Sequence, residues 1–304
     1  MTKADKIFYE NIKRLLSDEA VTDESGQVRP HYEDGTPAYT RYITQVVETY
    51  DIDKGEFPIT TLRPIFVKKA IGEILWIYQD QSTDLDLLAS KYGITWWDSW
   101  DIGNRTIGST YGSIVKEHDL MNRLINNIKT NPFSRYHIIS LWQEESFTRK
   151  HGLKPCAFQT LWTVRGEFLD CTLVQRSSDF LVAGHINKMQ YVALQMMVAK
   201  ATGYKPGKFT HFTQNLHIYD RHIEQAHELI RRYEKKYKEY TQNISDAIFE
   251  GGMSKDKAIK FCEEEAPKLV FNPKSDNFYD FTVDDFELIN YEPTRPQIRF
   301  ELGI

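Results

Sequence analysis

The sequence predicts an α+β (α/β) protein built on one large mixed β-sheet flanked by helices. Two observations carry this: short β-branched and aromatic runs that can pair, and apolar spacing of helical period placed around them. Residues 65–78 (IFVKKAIGEILWIY) set apolar side chains at helical spacing. Residues 137–142 (HIISLW), 158–164 (FQTLWTV) and 168–174 (FLDCTLV) are short and strand-like, and Arg165-Gly166 predicts a hairpin turn between the last two. Residues 189–199 (MQYVALQMMVA) return to the helical period but are apolar nearly all round, so this helix is expected inside. From 220 to 238 the chain is charged and helix-favouring. Residues 243–267 then pass through Gly251-Gly252 into Glu263-Glu264-Glu265, which reads as a surface insertion around 240–265. No repeat, low-complexity tract or Pro-rich linker divides the chain, so residues 1–304 are expected to form one domain.

Composition narrows the function. With 304 residues, 41% of them hydrophobic, the chain can bury a substantial core. The opening MTKADKIFYENIKRLL is too charged for a secretory signal, and no apolar run approaches the roughly 18 to 20 residues of a membrane span, so a cytoplasmic location is expected. A net charge of −5 argues against general nucleic-acid binding, which needs a concentrated basic surface. The three cysteines, Cys156, Cys171 and Cys262, are too few and scattered for a disulfide framework or a closed zinc site. No His-Glu-x-x-His pair occurs either, so no metal is expected.

A lone cysteine is more often a small packed residue than a nucleophile. Cys156, however, follows Lys154-Pro155 just before a predicted strand, where the proline can fix its entry angle. The segment 174–191 (VQRSSDFLVAGHINKMQY) supplies what a reactive thiol would need around it. Arg176 and Ser177 can hold a phosphate, Asp179 can accept from a heterocycle, and Asn187 offers an acceptor and donors to a base edge. Glu73 stands within an apolar helical run, where an unpaired carboxylate must be satisfied or neutral.

This segment resembles the signature of the thymidylate synthase family, Gln-Arg-Ser-x-Asp followed eight residues after the aspartate by an asparagine; Asp179 and Asn187 have that spacing. Further blocks occur in the family's order: Gly72-Glu73-Ile74-Leu75-Trp76, Trp97-Asp98-Ser99-Trp100, Tyr111-Gly112, Asn131-Pro132-Phe133-Ser134-Arg135, Pro155-Cys156, His217-Ile218-Tyr219 and Phe278-Tyr279-Asp280-Phe281. The likeness covers nearly the whole chain. Residues 29–40 and the turn at 108–112 resemble the divergent branch found in some bacilli and their phages.

The resemblance implies a thymidylate synthase fold assembled sheet to sheet as a homodimer, and a reductive methylation of deoxyuridylate (dUMP). By resemblance, Cys156 attacks carbon 6 of the uracil, and 5,10-methylenetetrahydrofolate gives the one-carbon unit and the hydride. Arg29, Arg176 and Ser177 would hold the phosphate, joined by Arg135 from the second subunit. Asn187 would read the uracil edge, His217 and Tyr219 would bind the sugar, and Gln175 would be a further substrate-binding residue. Glu73 and Tyr111 would move protons; Trp97, Trp100 and Asp179 would flank the folate; and Ile304 would end a closing tail. A low fraction of thiolate at neutral pH makes Arg176 the expected activator of Cys156.

Several positions depart from the family pattern: Leu62, Tyr136, Ala157, His185-Ile186 and Gln214-Asn215. They keep a sister activity in view, dUMP hydroxymethylation with release of tetrahydrofolate. Asn187 favours uracil over cytosine, and Trp97, Trp100 and Ile304 favour hydride transfer. A catalytically idle nucleotide- or RNA-binding homologue is the more distant alternative.

Overall fold

The computed structural model describes residues 2–148, 152–262 and 265–304. Its strands are β1 (Val21–Thr22), β2 (Thr40–Asp51), β3 (Ile138–Ser140), β4 (Ala157–Arg165), β5 (Phe168–Gln175), β6 (Ser178–Asp179) and β7 (Lys205–Tyr219). They form a seven-stranded sheet in the order β1-β2-β7-β5-β4-β3, with β6 also beside β7. The sheet is mixed: β5 and β6 run parallel to β7, and the other pairs are antiparallel. A second, two-stranded ladder joins β8 (Lys268–Phe271) to β9 (Phe286–Ile289).

The β4–β5 hairpin forms as expected, but Arg165 still pairs with Phe168 and the turn falls on Gly166-Glu167. Gly166 takes φ +63°, a conformation that costs a residue without Cβ little. After Gln175 the ladder against β7 stops for Arg176-Ser177 and resumes at Ser178. That gap releases two residues from pairing with β7, and both belong to the signature segment.

The helices are α1 (Lys3–Leu16), α2 (Val67–Tyr78), α3 (Leu85–Tyr92), α4 (Gly112–Glu117), α5 (Leu120–Thr130), α6 (Gly184–Thr202), α7 (Ile223–Phe249) and α8 (Lys255–Cys262). Helix α2 starts two residues later than its apolar pattern: Phe66 takes φ −84° and ψ 68°, outside the helical region, and the Ile65 amide before it donates to the Tyr291 hydroxyl at 2.9 Å. The strand expected over 137–142 shortens to β3; His137 is buried, with Nε2 3.3 Å from the Pro132 carbonyl. The charged stretch from 220 opens with a 3-10 turn, Asp220–His222, and α7 then runs well past 238. Much of the expected insertion is therefore helical, as the end of α7 and as α8, while Glu263 and Glu264 lie outside the described residues. Among the described residues no helix is long and apolar enough to cross a membrane.

Helix α6 provides the parallel crossover between the signature segment and β7 and is buried nearly all round, as its sequence predicts. Its polar residues have assigned partners. Gln195 Nε2 donates to the carbonyls of Leu169 (2.8 Å) and Lys208 (3.1 Å), stitching helix to sheet. Lys188 Nζ lies 2.7 Å from Glu48 Oε2 on β2, with both side chains at most 2% exposed, and the Tyr50 hydroxyl also donates to Glu48. Burial pushes the Glu48 carboxyl up, but Lys188 and His211 outweigh it and hold the group below its usual range.

Removing one member of this pair leaves a buried charge without its counterion. Lys188→Met should therefore lower unfolding free energy by about 3–5 kcal/mol, read from urea titrations at fixed protein concentration. Glu48→Leu combined with Lys188→Met should recover most of the loss; a single variant as stable as the parent would contradict this reading.

Candidate active site

Cys156 immediately precedes β4, and its backbone is paired across to the chain just after β5: the Arg176 amide donates to the Cys156 carbonyl at 2.9 Å. The released Arg176 then folds back on the same segment. Its Nε donates to the Pro155 carbonyl (3.0 Å) and Nη2 to the Lys154 carbonyl (2.9 Å), while Nη2 lies 3.5 Å from the Cys156 sulfur. A guanidinium fork anchored on two carbonyls is a fixed cation rather than a swinging one. Cys156 is half-buried as a residue.

The charge balance at the sulfur differs from expectation. Burial pushes the Cys156 thiol up, and Arg176 and then Arg29 pull it back without fully compensating. The resting thiol in the single chain is thus predominantly protonated at neutral pH.

Tyr111 reaches Cys156 from a distant part of the chain. Its hydroxyl accepts from the Cys156 amide at 3.1 Å, and its ring meets Trp97 edge-on at 5.2 Å. Tyr111 has φ +45°, an unusual backbone conformation for a residue with a Cβ. The next residue must be small: a Cβ on Gly112 would sit 2.1 Å from the Ser82 carbonyl oxygen. Burial raises the Tyr111 hydroxyl well above the usual phenol range, so it is a neutral donor or acceptor.

Glu73, on α2, is 6% exposed, and burial raises its pKa; nearby N–H groups of Gln190, Trp96 and Trp97 act against that shift. The closest donor is Trp96 Nε1 at 2.5 Å, a residue the sequence analysis did not single out. Trp97 and Trp100 pack edge to face at 5.4 Å; the buried Trp100 indole N–H has no hydrogen-bond partner, and that of Trp97 lies near Glu73 without meeting bonding geometry.

Asn187 sits in the first turn of α6, where Gln175 Nε2 donates to its Oδ1 at 3.1 Å and its own Nδ2 donates to Gln190 Oε1 at 3.1 Å. Gln190 was also missed; its signal was an amide interrupting an otherwise apolar helix. Asp179 ends β6, and burial pushes it up to about 7, against the opposing Val182 amide and Arg63. His217 is paired opposite Asp179; burial lowers its pKa to about 4, leaving a neutral ring with Nδ1 3.0 Å from Asn215 Oδ1. Tyr219 is 8% exposed and lies within electrostatic reach of Asp179, Arg29 and Cys156.

The tail closes on this edge of the site. Ile304 and His31 exchange backbone hydrogen bonds of 3.0 and 2.9 Å, and the Tyr219 hydroxyl donates to the Gly303 carbonyl at 3.4 Å. Ser177 contributes its carbonyl to Gln175 Nε2 at 2.9 Å. Arg135 stands apart: it is exposed on the loop before β3 and is not among the charges acting on Cys156.

The departures fall largely outside the chemistry. His185 is fully buried, with Nδ1 2.9 Å from the Pro58 carbonyl and its ring against Phe8. Leu62 is buried, Tyr136 is 86% exposed, and Ala157 accepts from the Tyr191 hydroxyl through its backbone carbonyl at 3.3 Å. Asn215 meets the His217 ring, and Ala157 and Ile186 belong to or pack on the apolar cluster that includes Trp97 and Tyr111. A polar groove of about 700 Å³ lined by Gln81, Asp86, Arg105 and Lys116 shares no residue with the site. Among the described residues no cluster of three His, Cys, Asp or Glu side chains is placed to hold a metal ion.

Comparison with known proteins agrees with this arrangement. The family profile described as thymidylate synthase matches residues 9–304. Proteins named thymidylate synthase from Streptococcus pneumoniae (strain 70585) and Streptococcus gordonii (strain Challis) are each 50% identical over 310 residues, covering 100% of both chains. The solved structure of the thermostable thymidylate synthase A from Bacillus subtilis superposes with a TM-score of 0.83 at 31% identity, covering 100% of each chain. A full-length match of sequence, fold and motif order has one reading: the chain belongs to the thymidylate synthase family.

Proposed function

We propose that this chain converts dUMP to thymidylate with 5,10-methylenetetrahydrofolate, acting as one catalytic domain in the cytoplasm. The observation that supports it most directly is the Cys156 sulfur held 3.5 Å from an anchored Arg176 guanidinium, with Tyr111 on the same residue's amide. Arg29, Arg176 and Ser177 bind the phosphate. Arg135 completes that site from a second subunit, docked through the open sheet face on which Val47 (61%), Ile138 (44%) and Leu161 (37%) are exposed.

With the phosphate held, His217 and Tyr219 receive the sugar and Asn187 meets the uracil edge. Cys156 loses its proton, its sulfur bonds to carbon 6, and the carbon 5–carbon 6 electron pair moves towards O4, where Asn187 offers an N–H. The Tyr111 hydroxyl stands where the carbon 5 proton departs, and Glu73 passes protons at the O4 side. Sulfur leaves when the carbon 5–carbon 6 bond is restored.

The folate fits the donor set beside the thiol. Trp100 offers a buried, unpartnered N–H, the Trp97 ring packs beside it, and Asp179, with a pKa near 7, can accept from or donate to a pterin edge. When bound, the folate supplies the one-carbon unit and the hydride. The tail ending at Ile304 helps keep water out.

Cys156→Ser should retain dUMP in equilibrium dialysis while turnover falls by at least about a thousandfold; unchanged turnover would reject the nucleophile. Mass spectrometry of the parent reaction should show thymidylate with dihydrofolate, whereas 5-hydroxymethyl-dUMP with tetrahydrofolate would establish the sister activity. Arg176→Gln removes the main charge opposing burial of the sulfur, so the pH midpoint of Cys156 alkylation by iodoacetamide should move upward. A midpoint that stays or falls would show that Arg176 does not favour the thiolate.

A further inference from the structure

The side chains behind the uracil site form hydrogen bonds that run in one direction. Gln175 sets that direction. Its Nε2 donates to the Ser177 carbonyl at 2.9 Å, and since a carbonyl only accepts, the amide cannot be turned over without losing that bond. Gln175 Oε1 therefore faces His211 Nε2 at 2.9 Å, which makes Nε2 the protonated nitrogen of this neutral, fully buried ring. On the other side Gln175 Nε2 donates to Asn187 Oδ1, which turns Asn187 Nδ2 towards Gln190 Oε1. Gln190 is 2% exposed, and its remaining group, Nε2, is buried without a partner at bonding geometry. That nitrogen is nevertheless close enough to Glu73 to favour the carboxylate's anion.

From these juxtapositions we infer that Gln190 is a positioning residue which joins the base-reading Asn187 to Glu73, the last link of a one-way chain from His211 through Gln175. The inference rests on the roles proposed above for Asn187 and Glu73. Asn187 spends one lone pair and one N–H on this chain, leaving one of each for a pyrimidine edge. The free pair is fixed in orientation, acceptor towards one side and donor towards the other, so the same amide that reads the base is held by the group facing the proton carrier. Negative charge building at O4 draws on the free Asn187 N–H, which the donation from Gln175 into Asn187 Oδ1 strengthens, while Gln190 holds the other N–H and ties that orientation to Glu73. Lys188, beside Asn187 on α6, is committed to Glu48 and does not compete for the chain.

Gln190→Met keeps the volume and removes both hydrogen-bonding groups. The expected result is a kcat lower by about tenfold with the KM for dUMP changed by less than about threefold. A double-mutant cycle with Glu73→Gln gives the decisive reading: once Glu73 is replaced, Gln190→Met should cost little further turnover. Losses that multiply across the two sites, or a Gln190→Met enzyme with parental kcat, would overturn the role of Gln190. Should Glu73→Gln alone retain parental turnover, the assignment of Glu73 fails instead, so the two failures are separable. If Gln190→Met does not fold, Gln190→Glu supplies the same cycle, keeping an acceptor for Asn187 while replacing the donor that faces Glu73.

Discussion

The site depends on one charge being held still. Arg176 could be an ordinary flexible side chain at the end of a strand, but β5 breaks at its position and the carbonyls of Lys154 and Pro155 take two of its donors. What remains of the guanidinium faces the sulfur of Cys156. Strand ends, thiol and cation thus belong to one rigid unit, and the geometry does not need to be rebuilt each time a nucleotide arrives.

Burial works against charge everywhere around that unit. It raises the Cys156 thiol, Glu73 and Asp179 and lowers His217, so most groups able to titrate here rest in, or are pushed towards, their neutral forms. A set of near-neutral acids and bases suits proton transfer better than a set of salt bridges would, because the proton moves at small cost in either direction. Charge beside the sulfur is supplied by Arg176 and Arg29 instead.

The tail is secured by ion pairs on the surface and by close packing on Tyr219. Arg221 bridges Asp34 (2.7 Å) and Glu301 (2.6 Å), and His222 Nε2 lies 2.6 Å from the Glu301 carbonyl. Gly303 is wedged where a Cβ would come within 2.8 Å of Tyr219 and Ala38. The last residues are therefore placed by close backbone packing, and the loop carrying Arg29 is tied to them through His31.

Much of the chemistry was legible in the sequence because local pattern and motif spacing report residue type and order. The Cys156 segment, the signature from Gln175 to Asn187, the β4–β5 hairpin and the buried α6 could all be read from neighbouring residues. The long strands β2 and β7 escaped, although their burial alternates, since their polar residues pair across the sheet and no single stretch looks apolar. Trp96 was passed over for Trp97, and Gln190 and His211 went unnoticed, because their importance comes from partners distant along the chain. The balance at the Cys156 sulfur was likewise beyond the sequence: an arginine's presence can be read from its letter, but how far burial offsets its charge depends on what the fold packs around both.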